Sequence, residues 1–109
     1  MKKLFFIIGL PLMLAGGSAS AQLWSGNDYR ETCTLEPDEY KTSVCSAFII
    51  GIAQAGRSNK IFCMPEDVTN GQTHAIVNSY INDNPEERHL AASELIVTSL
   101  VKAFPCQPK

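Results

Sequence analysis

The stretch DEYKTSVCSAFIIGIAQAG, residues 38–56, decides the fold. Its apolar residues Tyr40, Val44, Phe48 and Ile52 recur at steps of four, with Cys45, Ile49 and Ala55 on the adjoining face. A helix turns once every 3.6 residues, so such positions line one side of it, whereas a strand would need alternation with period two. The spacing predicts one long amphipathic helix from Asp38 to Ala55. Gly51 inside it costs about 1 kcal/mol relative to alanine, which predicts a close approach by a neighbouring helix or a local bend. Gly56 is the expected stop, because a residue without Cβ tolerates the left-handed conformation that ends helices.

On the N-terminal side a short helix is predicted over Asn27 to Thr34, with Trp24 and Tyr29 supplying large apolar area; Pro37 marks a break. On the C-terminal side RSNKIFCMPED, residues 57–67, reads as a connector pinned at Cys63. Thr69 and Gln72 have the spacing of a capping box, and Ile76, Val77, Tyr80 and Ile81 form a core stripe. That predicts a helix from Asn70 to Asn82. In INDNPEE, residues 81–87, Asn84 suits a cap, Pro85 the first helical position, and Glu86 and Glu87 the positive helix end. A last helix is predicted to start there, with Leu90, Val97, Leu100, Val101 and Phe104 on one side and Pro105 as its stop. No segment alternates for long enough to make a half-buried strand. The expected fold class is therefore all-α: a small disulfide-stapled helical domain of about four helices.

The beginning of the chain sets the compartment. Lys2 and Lys3 precede the apolar run LFFIIGLPLMLA, residues 4–15, and small residues end at Ala19-Ser20-Ala21. This is the pattern of a cleaved signal peptide over residues 1–21, and the apolar run is too short to cross a hydrocarbon core of about 30 Å. Cleavage after Ala21 leaves residues 22–109, one domain's worth of chain, exported to the periplasm. Of the nine Lys/Arg, two leave with the signal; seven against eleven Asp/Glu is a formal charge of −4. That balance disfavours nucleic acid or an anionic membrane as partner, and no P-loop or glycine-rich dinucleotide turn is present.

Four cysteines, Cys33, Cys45, Cys63 and Cys106, remain after processing, separated by 11, 17 and 42 residues. An even number in a small exported chain is a disulfide framework; a zinc site would bring cysteines within two to four residues of each other. Sequence leaves three connectivities open. Cys33–Cys45 with Cys63–Cys106 is favoured, and Cys33–Cys106 with Cys45–Cys63 is the runner-up. Each bridge contributes about 2–4 kcal/mol by restricting the unfolded chain.

Catalytic groups are not evident. The two histidines, His74 and His89, stand near predicted helix starts; His74 reads as a half-buried edge residue and His89 as a surface partner of Glu86 or Glu87. Glu66-Asp67 and Glu86-Glu87 are each placed by the sequence where negative charge complements a helix dipole, and no EF-hand spacing occurs. No enzyme activity, cofactor or metal is expected.

The ordered set of pieces Cys33, CSAFIIGI at 45–52, FCMP at 62–65, VTNGQ at 68–72, NPE at 84–86 and AFPC at 103–106 resembles the Tai-type family of periplasmic immunity proteins. The resemblance covers Tyr29 to Cys106. It implies a helical, disulfide-containing protein that binds and inhibits a peptidoglycan amidase effector of type VI secretion, often as a homodimer. It also implies a projecting loop that enters the effector's cleft. The best match is the turn carrying Asn82, Asp83, Asn84, Glu86, Glu87 and Arg88, where Pro85 limits the entropy lost on docking. Arg57 and Lys60 form a second candidate contact. A small helical chaperone or binding protein of acid-stress type is the alternative function.

Overall fold

Four α-helices carry the described part of the chain. The structure, a computed structural model, describes residues 23–35 and 38–106. The predicted signal peptide over 1–21 and the break at Pro37 lie outside these residues. Helix α1 spans Gly26–Arg30 and runs on into a π-helical turn, Glu31–Leu35; α2 spans Glu39–Ser58. Helix α3 spans Asn70–Asp83, a 3₁₀ turn follows at Pro85–Glu87, and α4 spans Ala92–Ala103. Among the described residues there is no strand, only an isolated antiparallel bridge between Ser25 and Ala91. The all-α expectation holds.

Local chemistry explains where the helices begin. Ser25 Oγ accepts from the Asp28 amide at 3.1 Å while Asp28 Oδ2 accepts from the Ser25 amide at 3.0 Å, a reciprocal cap for α1. Asp38 Oδ1 accepts from the Lys41 amide at 2.8 Å to open α2. The capping box expected at α3 is present: Thr69 Oγ1 accepts from the Gln72 amide at 3.1 Å, and Gln72 Oε1 accepts from the Thr69 amide at 2.7 Å. Glu66 and Asp67 lie ahead of that cap, outside the first turn they were expected to stabilise.

The long helix forms, but its buried face is rotated from the expected stripe. Cys45, Ile49, Ala53 and Gly56 are buried; Val44, Phe48 and Ile52 form a half-buried shoulder, Ala55 is exposed and Tyr40 is 76% exposed. The close approach expected at Gly51 occurs at Gly56 instead. Gly51 is exposed, with no described atom within 4 Å of where a Cβ would stand. Gly56 does not end the helix. It lies within α2, and a Cβ there would collide with the Phe62 ring. The helix ends three residues beyond Ala55 at Ser58, and the left-handed residue of the following turn is Lys60, at φ 58°. Phe62, 1% exposed, folds back against that bare backbone, a packing demand invisible to periodicity.

Helix α4 begins later than predicted. Pro85–Glu87 closes only a 3₁₀ turn, and Asn84 makes no side-chain cap there; its Nδ2 donates backward to the Tyr80 carbonyl at 2.8 Å. Glu86 and Glu87 therefore flank no long helix. In α4 the buried positions are Ala92, Leu95, Ile96, Ser99 and Leu100, while Val97 and Val101 are half buried. Of the predicted side only Leu100 is fully buried. The helix stops at Ala103, before Pro105, as expected.

One core joins all four helices: Tyr29 from α1, Cys45 and Ile49 from α2, Val77 and Ile81 from α3, and Leu95, Ile96 and Leu100 from α4. Burying each large aliphatic or aromatic side chain contributes roughly 1.5–3 kcal/mol. The fully buried Tyr29 satisfies its hydroxyl by donating to Asn78 Oδ1 at 2.7 Å. Trp24 packs edge-on against Phe48, with ring centroids 5.4 Å apart. The favoured disulfide pairing is the one present, Cys33–Cys45 and Cys63–Cys106. The first ties the π-helical turn to α2, and the second ties the connector to the end of the chain.

Candidate partner-binding surface

The turn from Asn82 to Arg88 is held from inside rather than left to solvent. Arg88 donates from Nε to the Ile81 carbonyl at 2.9 Å and from Nη2 to the Asn82 carbonyl at 2.8 Å. A cation on the last carbonyls of α3 answers both their unmet hydrogen-bonding capacity and the negative helix end. Asn82 Oδ1 accepts from Arg30 Nε at 2.9 Å, which fastens the turn to α1. Glu87 Oε1 accepts from the Tyr80 hydroxyl at 2.8 Å, and Asp83 Oδ2 accepts from Ser79 at 3.3 Å.

The backbone on the far side is anchored as well. Gly26 N–H donates to the Leu90 carbonyl at 2.8 Å, Asn27 N–H to the Arg88 carbonyl at 2.9 Å, and Ala92 N–H to the Trp24 carbonyl at 2.8 Å. Gly26 allows this approach, since a Cβ there would stand 3.0 Å from the Arg88 Cα and closer still to Leu95. The turn is thus a polar segment held by its own hydrogen bonds. Asn82, Asp83, Glu86 and Pro85 are exposed on it, while Asn84, Glu87 and Arg88 are half buried.

A shallow groove of about 530 Å³ adjoins this turn between α3 and α4, lined by Ile76, Tyr80, Asp83, Asn84, Ser99 and Lys102 among others. Within this lining the Lys102 ammonium lies 5.7 Å from the Tyr80 ring centroid. The hydrogen bond to Glu87, then burial and the nearby carboxylates, push the Tyr80 phenol above its ordinary value. Tyr80 was expected only as a core residue. The signal for its second role was its place one turn from Asp83 and beside a polar loop.

The second candidate segment lies at the C-terminal end of α2 and in the turn that follows it. Arg57 pairs with Glu66 at 3.8 Å across an exposed surface, worth about 0–1 kcal/mol. Lys60 is exposed at the tip of its left-handed turn. Among the described residues no hydrogen bond or ion pair links Arg57 or Lys60 to the Asn82–Arg88 turn.

All four cysteines are bridged. Among the described residues no group of three or more His, Cys, Asp or Glu is arranged to hold a metal ion. His74 is half buried, its Nε2 has no hydrogen-bond partner, and burial lowers its pKa. His89 is exposed in the turn before α4 and does not form the expected ion pair with Glu86 or Glu87.

Fold and surface define a small helical protein stapled by two disulfides and presenting a pre-formed polar turn. A family model for Rap1a immunity proteins matches residues 25–106, and the chain belongs to that family. No curated protein and no solved structure matches it.

Proposed function

We propose that the protein is a periplasmic immunity protein that binds and inhibits a peptidoglycan amidase effector of type VI secretion. The observation that carries this reading is the match of residues 25–106 to Rap1a immunity proteins. The ordered motifs from Cys33 to AFPC, which resemble the Tai-type family, supply the amidase as target. An immunity protein acts by occupying its effector, so its essential equipment is a surface rather than a reaction centre. The Asn82–Arg88 turn supplies such a surface: Arg88, Arg30 and Tyr80 already order it, so little further entropy is lost when it docks.

Within the proposed complex, Asn82, Asp83 and Glu86 offer acceptors and donors to the effector cleft, while Asn84, Glu87 and Arg88 set the shape of the turn. Arg57 and Lys60 form a second contact, and the resemblance extends the proposal to a homodimer holding two effectors. Export over residues 1–21 delivers the protein to the compartment where the amidase acts; among the described residues no helix is long and apolar enough to cross a membrane. The family match across the domain favours immunity over an acid-stress chaperone.

Co-expression with the product of a neighbouring gene encoding a small Cys/His amidase tests the reading. The amidase is expected to co-purify with the mature chain, and its expression in the periplasm should be toxic without it. If no amidase co-purifies and a deletion strain resists attack by sibling cells fully, the proposal fails.

A further inference from the structure

The two disulfides occupy unlike surroundings. Cys45 is 3% exposed on the buried face of α2, and Cys33 packs against the core from within the π-helical turn. Cys63 and Cys106 are both exposed, one in the connector and the other past the end of α4. Opening the first bridge disturbs two helical elements. Opening the second disturbs none. Arg57 and Lys60 line the same surface depression as Cys63, with Glu66, the ion-pair partner of Arg57, as the carboxylate there. Cationic neighbours draw an incoming thiolate and stabilise the thiolate that leaves.

We propose that the Cys63–Cys106 bridge is a thiol–disulfide exchange site for a dithiol reductant, opened while Cys33–Cys45 remains closed. One thiolate of the dithiol attacks a sulfur of the bridge. A new sulfur–sulfur bond forms, the Cys63–Cys106 bond breaks, and its electron pair leaves on the other cysteine, which takes a proton from water. The second thiolate of the dithiol then attacks the mixed disulfide. The reductant departs as a disulfide, the second cysteine leaves as a thiolate and likewise takes a proton from water, and the protein keeps two thiols, so two electrons pass to the protein.

The surroundings also provide for reclosure. Cys63 N–H donates to the Phe104 carbonyl at 2.8 Å, and Phe62 stays seated on Gly56, so the two cysteines remain neighbours after the bridge opens. The Cys106 sulfur lies 3.7 Å from the Lys60 carbonyl, an acceptor for the thiol once formed. Opening loosens the backbone on either side of Phe62, at residues 60–61 and 63, and the chain end, without dissolving the core.

Timed reduction of the full mature chain with dithiothreitol, quenched by alkylation and mapped by mass spectrometry, tests this. A singly opened species labelled at Cys63 and Cys106 should accumulate, its bridge opening at least about ten-fold faster than Cys33–Cys45. Its helical circular dichroism should persist, and the Ile61 and Cys63 amides should exchange faster. Equal opening rates, earlier loss of Cys33–Cys45, or collapse of the helical signal on first opening would overturn the proposal. The double variant Cys63→Ser/Cys106→Ser provides the second reading: it should fold with Cys33–Cys45 intact, and failure to fold counts against the proposal equally.

Discussion

Arg88 closes the end of α3 by donating to the Ile81 carbonyl at 2.9 Å, and its second bond reaches the Asn82 carbonyl at 2.8 Å. A charged hydrogen bond of this kind contributes about 1.5–3 kcal/mol, and truncation leaves the part-buried Ile81 carbonyl unmet. Arg88→Ala should lower the unfolding free energy by roughly 1–3 kcal/mol in urea denaturation. Arg88→Lys should recover only part of this, because an ammonium lacks the fork that reaches two carbonyls. An unchanged midpoint for Arg88→Ala would show that the turn is held by other bonds.

The glycines of α2 give a paired test. Gly51→Ala removes a helix-weakening residue at an open position and should stabilise by up to about 1 kcal/mol. Gly56→Ala forces the Phe62 ring away and should destabilise by about 1–3 kcal/mol. Thermal melts of the two variants should move in opposite directions.

Stability should fall at both ends of the pH scale for separate reasons. Burial lowers the His74 pKa below its ordinary 6.5, so the unfolded chain takes up this proton first. Its contribution is complete above pH 6.5 and is lost as pH falls toward the lower folded value. Burial raises the Tyr29 phenol from 10.0 to about 12, so the folded state resists ionisation. That contribution is complete below pH 10.0 and is lost as pH rises through about 12. Denaturation curves against pH should show both slopes, and His74→Leu should flatten the acidic one.

Glu86 is exposed in the 3₁₀ turn Pro85–Glu87, where its side chain makes no hydrogen bond among the described residues. Glu86→Lys should leave the unfolding free energy within about 0.5 kcal/mol of the parent. Effector affinity should nevertheless drop by about ten-fold or more, which is about 1.4 kcal/mol of binding free energy. Equal affinity would move the interface away from this turn.

How legible the fold was depended on the range of the interactions involved. The Thr69–Gln72 capping box, the Pro105 stop and the existence of four helices follow from residues within a few positions of one another. The rotated faces of α2 and α4 do not, because burial there is set by what packs across the core. Periodicity finds a stripe but cannot choose between Val44 and Cys45, or between Val101 and Leu100, when both neighbours are apolar. Gly56 could be assigned its role only once Phe62 was seen to fold back on it. Likewise the Asn82–Arg88 turn was visible as a proline-containing polar loop, but Arg88 as a helix cap and Arg30 as an anchor depend on contacts seven and 52 residues apart. The Ser25–Asp28 cap is the local signal that sequence reading missed.

Neutralisation of an amidase by direct contact is the proposed function. Calorimetric titration of the cognate amidase with the mature chain, run alongside peptidoglycan hydrolysis, tests it most directly. Saturable binding with Kd of about 1 μM or tighter, near −8 kcal/mol, is expected, with loss of hydrolysis in proportion to occupancy. Heat of dilution alone, with hydrolysis unaffected by excess protein, would contradict it.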